Sequence, residues 1–367
     1  MLQVSKLYPP FIGGVEQVVR TVAEGLQDRT TMRVLVCNTR EETERERTNG
    51  VEVTRAGSFA LAGNMPLSLR FFREFRRASA PADILLFHMP FPLGDLASLL
   101  SRRRGRIVVW WHADVVRKRL LGALYRPIMK LFLRRVARII VATPNHLRYT
   151  PVLAPYKDKC VIIPYGIDTK KYELTEEARR KAQEVRRQHG TPLILFVGRL
   201  VYYKGLETLV RVMADVEGHL VIVGQGPLEA RLRLMAAAPA IASKVSFVGA
   251  VSDEDLRGYF HACDVFVLPS VAPSEAFGLV QLEAMASGKP VINTQLESGV
   301  PWVSIHGQTG LTVPPGDPAA LAAALRALLR DGALRERYGA NGRARARQLC
   351  DVSVMLESVM RVFDSLM

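Results

Sequence analysis

Residues 270–290 read Ser-Val-Ala-Pro-Ser-Glu-Ala-Phe-Gly-Leu-Val-Gln-Leu-Glu-Ala-Met-Ala-Ser-Gly-Lys-Pro. Two carboxylates, Glu275 and Glu283, bracket Gly278 and a short helical segment. Between Gly278 and Gly288 the only charged residue is Glu283, set among Leu279, Leu282, Ala284 and Ala286. A helix that is apolar nearly all round belongs in the interior. A lone ionised carboxylate there is costly unless it is paired or hydrogen-bonded. Glu283 therefore needs a partner: a neighbouring arginine, or the hydroxyl groups of a ligand. On either side stand apolar, β-branched runs, Asp264-Val-Phe-Val-Leu before and Pro290-Val-Ile-Asn after. The stretch thus reads as strand, loop, buried helix, strand, which is the repeating unit of a parallel sheet.

The same alternation runs outward along the chain. Strand-like runs recur at Arg33-Val-Leu-Val-Cys, Asp83-Ile-Leu-Leu-Phe, Arg106-Ile-Val-Val-Trp-Trp and Arg138-Ile-Ile-Val-Ala, then at 193–198, 220–224 and 245–249. Helix-period segments separate most of them, at 13–27, 67–78, 205–216, 227–237 and 253–262. Continuous apolar strands alternating with helices predict an α/β protein whose parallel sheets are covered on both faces. The pattern pauses between Pro164 and Thr191, where a charged helical stretch (Glu176 to Arg187) joins two strand-rich halves. Three segments are expected: residues 1–168, residues 169–350, and a terminal helix in 351–367 that packs back on the first.

The chain has 367 residues, enough for two domains, and is 49% hydrophobic, enough for two sizeable cores. Met1 runs almost directly into Leu-Gln-Val-Ser, which is not a charged-then-apolar leader. No apolar run reaches the roughly 18 residues that a membrane-spanning helix needs. Cys37, Cys160, Cys263 and Cys350 are scattered without metal or redox spacing and predict reduced thiols in a cytoplasmic protein. The net charge of +15 is uneven. Residues 1–200 carry 35 basic against 18 acidic side chains, whereas 201–367 carry 15 against 17. Residues 101–150 alone carry 13 against 1. A basic face this local implies a particular anionic surface nearby.

In such sheets ligands bind beyond the carboxyl ends of the strands. After strand 193–198 come Arg199 and Lys204-Gly205, two cations at a strand-to-helix turn, a combination that suits an anion. After strand 220–224 comes Gly224-Gln225-Gly226-Pro227, where the backbone can approach a ligand closely; it lacks the full dinucleotide fingerprint. In the first half, Ile12-Gly13-Gly14-Val15 opens the first helix, and His112 and Asp114 follow strand 106–111. Taken singly, each is as well explained by a tight turn or a structural histidine. Together, they all fall at the same kind of strand end.

At this point the chain resembles family 4 of the retaining glycosyltransferases, with the GT-B fold of two Rossmann-like domains whose parallel sheets face each other across a cleft. The resemblance rests on Gly13-Gly14-Val15-Glu16, Pro164-Tyr165-Gly166-Ile167-Asp168, Val197-Gly198-Arg199-Leu200 with Lys204-Gly205, and Gly224-Gln225-Gly226-Pro227. Glu275 and Glu283, seven residues between them, and Gly310-Leu311-Thr312-Val313-Pro314-Pro315-Gly316-Asp317 complete it. Asparagine is the commoner residue where Tyr165 stands. The resemblance implies a nucleotide-diphosphate sugar lying mainly on the second domain. Arg199 and Lys204 would neutralise its diphosphate, helped by the amides of Phe277, Gly278 and Leu279. Glu283 would bond the ribose, Glu275 would meet the donor sugar, and Val248 and Gly249 would hold the base. From the first domain Gly14 would approach the phosphates, His112 would sit by the donor sugar, and His88 would shape the acceptor side. Glu275, His112, Arg199 and Lys204 are then the expected catalytic set. No cofactor or metal is expected, and no Asp-x-Asp motif to bring one. Segment 298–310 is similar to bacterial mannosyl- and rhamnosyltransferases of surface polysaccharide assembly, which favours a GDP-linked mannose or related hexose.

The basic segments bear on the acceptor. Arg119, Arg126, Lys130, Arg134 and Arg138 recur at helical spacing opposite Leu121, Leu124, Ile128, Leu131, Phe132, Val136 and Ile139. Arg70-Phe71-Phe72-Arg73-Glu74-Phe75-Arg76-Arg77 repeats the mix. Basic amphipathic helices with aromatics suit an anionic membrane surface, although a domain-covering helix with a solvated basic face has the same pattern. The expectation is peripheral attachment to the inner face of the cell membrane through residues 67–78 and 115–139, with a glycan or polyprenyl-diphosphate-linked acceptor. The competing functions are a nucleotide-sugar epimerase of GT-B fold and a basic nucleic-acid-binding protein; the latter leaves the two glutamates unexplained, and no nucleic-acid partner is expected.

Overall fold

The structure, a computed structural model, describes residues 1–11, 13–62, 65–101, 105–112 and 119–367. Ile12, Asp114 and residues 115–118 of the basic segment lie outside them, as do the side chains of Arg119, Leu121 and Leu124. The chain falls into two compact units, Met1–Tyr165 with Met355–Met367, and Gly166–Val354.

The first unit runs β1 (Leu2–Val4), α1 (Gly14–Gly25), β2 (Arg33–Cys37), β3 (Glu44–Thr48), β4 (Val51–Ala56), β5 (Ala60–Ala62), β6 (Met65–Leu67), α2 (Arg70–Ser79), β7 (Ile84–Met89), α3 (Pro92–Leu100), β8 (Arg106–Trp111), α4 (Arg119–Arg135), β9 (Arg138–Val141), α5 (Pro144–Tyr149) and β10 (Cys160–Ile162). Its large sheet has the order β10-β9-β8-β7-β1-β2-β4-β3. All neighbours are parallel except β3, which returns along β4. That hairpin is absent from the expected pattern because Glu44-Arg-Glu-Arg-Thr is a charged edge strand with no apolar face. Strands β7 and β8 are buried along nearly their whole length, as strands covered on both faces should be. On one face Phe87 meets Phe132 edge-on at 5.0 Å, and Phe71 meets Phe91 at 5.2 Å. Residues 355–367 belong to this unit, where Leu356 packs against Gly25 so closely that a Cβ there would lie 2.4 Å from it.

The second unit runs α6 (Glu176–His189), β11 (Leu193–Val197), α7 (Leu206–Val212), β12 (His219–Val223), α8 (Glu229–Ala236), β13 (Val245–Gly249), α9 (Asp253–Ala262), β14 (Val265–Val267), α10 (Leu279–Ala286), β15 (Val291–Thr294), α11 (Val300–Val303), β16 (Gly310–Val313), α12 (Pro318–Arg330), α13 (Gly332–Leu349) and the start of α14 (Val352–Asp364). Its sheet is wholly parallel, in the order β13-β12-β11-β14-β15-β16. The order in which strands are added reverses between β11 and β14: successive strands step outward one way from β11 and the other way from β14. In an open α/β sheet that point leaves a crevice beyond the strand ends. The division between units falls after Tyr165, three residues before the expected 168. The Tyr165 hydroxyl is tied to His112 in the first sheet, whereas Ile167 and Thr169 bond to Cys350 and Asp351.

The two basic helices are core-covering. Phe71 and Phe75 of α2 are buried, as are Met129, Phe132 and Leu133 of α4. Arg70, Arg73, Arg76 and Arg77 stay exposed, as do Arg126, Lys130, Arg134 and Arg135. Phe71 and Phe75, two of the aromatics that suggested a membrane-facing helix at 67–78, therefore build the core instead, because they share the face of α2 that packs inward while the arginines take the other.

Candidate active site

The reversal point of the second sheet is where the predicted residues gather. Beyond β11, residues Tyr202–Lys204 form one tight turn, and beyond β14 the loop 269–276 runs alongside it. Gly205 follows the turn at φ +69, and a Cβ there would lie 1.9 Å from the Pro269 carbonyl, so only glycine permits the approach. The Val271 amide donates to the Tyr203 carbonyl at 2.8 Å. This clamp brings Lys204 Nζ to 2.5 Å from Glu275 Oε2, with both side chains about nine-tenths buried. Ser270 Oγ adds a bond to the same oxygen at 3.3 Å. The expected roles put Lys204 on phosphate and Glu275 on sugar; the structure also makes them each other's counter-ion. Arg199, three residues past Phe196 in β11 by way of Gly198, is exposed to solvent.

Loop 269–276 leads into α10, whose entry is built for close approach. Gly278 adopts φ +73, and a Cβ on it would lie 2.6 Å from Leu268 Cδ2. No side chain caps α10, so the amides of its first turn, among them Gly278 and Leu279, look to other partners. Phe277 is buried and its carbonyl accepts from Gln281 Nε2 at 3.0 Å. The Gln281 amide passes to Asn293 on β15 at 2.8 Å, and Asn293 continues to the carbonyls of Val300 and Ser304. That buried amide chain fixes α10 against β15 and α11, so the helix start cannot drift. Sequence reading missed it: Gln281 and Asn293 look unremarkable until packing puts them opposite each other.

Glu283, one turn further along α10, is half-buried. Its partner is the Tyr172 hydroxyl, from the segment joining the units, not an arginine. Burial pushes its pKa up to about 7, against the Tyr172 hydrogen bond, which lowers it, while nearby Asp253 raises it further. The carboxyl thus sits near its titration point at neutral pH, ready to gain from hydroxyl donors. Val248 and Gly249 end β13, two strands from β11, where the Gly249 carbonyl accepts from the Gly224 amide at 2.7 Å. Gly224 itself lies against Gly198: a Cβ on it would be 2.1 Å from the Gly198 carbonyl. Arg199, Gln225 and Gly249 therefore follow neighbouring strand ends. One Asp-x-Asp spacing does occur, Asp253-Glu254-Asp255, contrary to expectation. It opens α9, where Asp255 bonds to Ser252 and pairs with Lys181 at 2.5 Å, in the role of helix-start acids.

In the first unit the reversal lies between β1 and β7, and His88 stands there. His88 Nε2 lies 2.7 Å from Gln3 Oε1 on β1, and its Nδ1 lies 2.9 Å from Nε2 of His112, directly after β8. His112 Nδ1 lies 2.6 Å from the Tyr165 hydroxyl. Gln3 Nε2 donates to the Val19 carbonyl of α1, so Oε1 must accept from His88. The chain is then ordered: Tyr165 donates to His112, His112 to His88, His88 to Gln3. Burial drops the pKa of His88 to about 3 and holds His112 well below its ordinary value, so both are neutral. Neither ring nitrogen of His112 is spare, and contact with a sugar would have to exchange one of these bonds. Gly14 begins α1, exposed, with no side-chain cap on the helix. Gln3 and Tyr165 were not predicted here; only strand adjacency reveals them.

Comparison with known proteins agrees with this geometry. Residues 12–171 match the model described as Glycosyltransferase Family 4, and residues 177–345 match Glycosyl transferases group 1. The chain is 37% identical over 343 residues to D-rhamnosyltransferase WbpZ of Pseudomonas aeruginosa, covering 92% of this chain and 88% of that protein. It is 31% identical to O-antigen chain mannosyltransferase C of Escherichia coli, covering 98% and 96%. Among solved structures, sucrose-phosphate synthase from Thermosynechococcus elongatus shares the fold with a TM-score of 0.82 at 24% identity, covering 100% of this chain and 98% of that one. HepE from Anabaena in complex with UDP does so with a TM-score of 0.80 at 20% identity, covering 99% of each. The chain belongs to the family 4, group 1 glycosyltransferases of GT-B fold, and is a hexosyltransferase.

Proposed function

We propose that this enzyme transfers a hexose, with retention of anomeric configuration, from a GDP-linked donor to a glycan or polyprenyl-diphosphate-linked acceptor at an anionic membrane surface. The observation that carries the donor site is the Lys204–Glu275 pair at the β11/β14 reversal, beside the uncapped start of α10. A diphosphate arriving there meets Lys204, Arg199 and the amides of Phe277, Gly278 and Leu279. Lys204 turns toward phosphate oxygen and Glu275 toward the sugar hydroxyls, while Glu283 accepts from the ribose. Charge developing on the departing phosphate is met by fixed cations and a helix amino end, with no metal needed. Retention follows from front-face attack. The bond from the anomeric carbon to the phosphate oxygen breaks, the acceptor oxygen bonds the same face, and its proton passes to the leaving phosphate. Closure of the site keeps water from the donor.

Mannose or a close relative is favoured because the two relatives above are named for rhamnosyl and mannosyl transfer. The lipid-linked acceptor and membrane contact rest on the exposed arginines of α2 and the basic side of α4. Thermal unfolding with GDP, UDP, ADP or dTDP tests the donor. A nucleotide present at about 100 times its Kd adds about 2.7 kcal/mol of stability, and GDP is expected to give the largest shift. A shift with UDP alone overturns the GDP assignment; no shift with any nucleotide overturns the site.

A further inference from the structure

From Ala56 to Leu69 there is no charged residue. This stretch carries the β5–β6 ribbon, in which Ala60 pairs with Leu67 and Leu61 with Pro66. Large side chains here point to solvent: Phe59 is 59% exposed, Leu61 53%, Leu67 38% and Leu69 74%. Leu61 and Leu67 lie on opposite faces of the ribbon, so each face carries an exposed leucine, although Pro66 beside Leu61 is buried. An isolated two-stranded ribbon is marginal in water, yet this one is held at its base. Phe59 N donates to Leu67 O at 3.0 Å, Ser68 Oγ to Gly57 O at 2.6 Å, and Phe71 N to Ser68 Oγ at 3.0 Å. Gly57 and Ser58 are tied in turn to Thr43 and Arg40. Such a cluster is a contact surface, not scattered exposure.

What it contacts is indicated by charge. Leu69 is followed directly by α2, whose Arg70, Arg73, Arg76 and Arg77 are exposed. Arg40 adds to them, and Glu41, Glu42 and Glu44 near the ribbon base offset only part. Exposed apolar side chains next to a basic helix match an anionic bilayer, acyl boundary first and phosphates behind. We propose that the β5–β6 ribbon is a membrane wedge: Phe59, Leu61, Leu67 and Leu69 enter the headgroup boundary while the α2 arginines bind lipid phosphates. This rests on the membrane reading above and names the element that inserts.

The test uses the full chain with vesicles of phosphatidylcholine, with and without phosphatidylglycerol. The triple variant Phe59→Ser, Leu61→Ser, Leu69→Ser alters only exposed side chains and should bind anionic vesicles at least tenfold more weakly. Leu234→Ser, at a site 78% exposed in the second unit, should bind as the unmodified chain does. In Leu61→Trp, fluorescence of the added tryptophan should be quenched by brominated lipid, with Phe59→Trp giving the same result. If the unmodified chain ignores anionic vesicles, the membrane reading and the wedge fall together. If it binds and the triple variant binds equally, or both added tryptophans stay unquenched, the wedge alone falls. A lipid-free dimer in sedimentation velocity that the triple variant abolishes would instead assign the ribbon to a second copy.

Discussion

At the reversal points of their sheets the two units hold polar groups in opposite ways. In the first, Gln3, His88, His112 and Tyr165 form a chain in which each donor meets an acceptor and the histidines are neutral. In the second, ionisable groups are enclosed: Lys204 is paired with Glu275, and the half-buried Glu283 meets only a tyrosine hydroxyl. A satisfied neutral chain rigidifies and asks nothing further of a ligand. A buried charge with incomplete compensation stores a demand that a ligand can meet. The difference teaches that, on the proposed reading, a ligand has most to gain from the charged groups of the second unit, whereas the neutral chain of the first offers stiffness.

The sharpest way to break this contrast is to remove one charge. Lys204→Ala or Glu275→Ala should lower transfer by roughly 10³-fold, measured as nucleotide release, while the protein still folds. Unfolding in urea should show each single variant destabilised, and the double variant no worse than either, because it leaves no unpaired charge. Activity near that of the unmodified enzyme in either single variant would remove the pair from the site.

A smaller effect is expected where the chain is neutral. Tyr165→Phe leaves His112 Nδ1 buried without its donor, at a cost of about 1–3 kcal/mol. Nucleotide affinity, a property of the second unit, should stay the same; a large loss of affinity would show that the neutral chain does more than stiffen.

Acidity separates the units again. Glu283 has a folded pKa near 7 against an ordinary 4.5, so the folded state holds more protons between these values. Stability from this group is present below about pH 4.5 and lost as pH rises to 7. Glu283→Gln should therefore gain on the unmodified protein between pH 4.5 and 7, followed by thermal unfolding. His88 behaves oppositely: its depressed pKa makes the unfolded state the better proton binder, so its share of stability is lost as pH falls from 6.5 toward 3. The least effect belongs to the solvated arginines. Arg73→Ser with Arg76→Ser should change stability by no more than about 0.5 kcal/mol, and a larger loss in the same urea titration would mean that they are structural.

Much of this was legible beforehand. Strand-length apolar runs announced both parallel sheets, and the cations and glycines after them pointed to the strand ends at the β11/β14 reversal, because ligands collect there in such sheets. One signal went unused: Asn49-Gly50, with φ values of +49 and +85, is a two-residue hairpin turn joining β3 to β4. The charged strands around it hid it. The aromatics of α2 misled for the opposite reason, since an amphipathic period shows that two faces differ and not which of them meets solvent or lipid.

By itself, then, the sequence determined that Glu283 would be stranded on an apolar helix and that glycines must stand at 205 and 278 if the turns are as tight as the pattern implies. Local patterning suffices for that, since burial and backbone freedom are properties of neighbours in the chain. Only the tertiary structure decided the partners: Tyr172 for Glu283, Glu275 for Lys204, and Gln3 and Tyr165 for the two histidines. Those pairs are brought together by the fold across long stretches of chain, 85 residues for Gln3 and His88 and more for Tyr172 and Glu283, and a hydrogen bond carries no mark of its far end in the sequence.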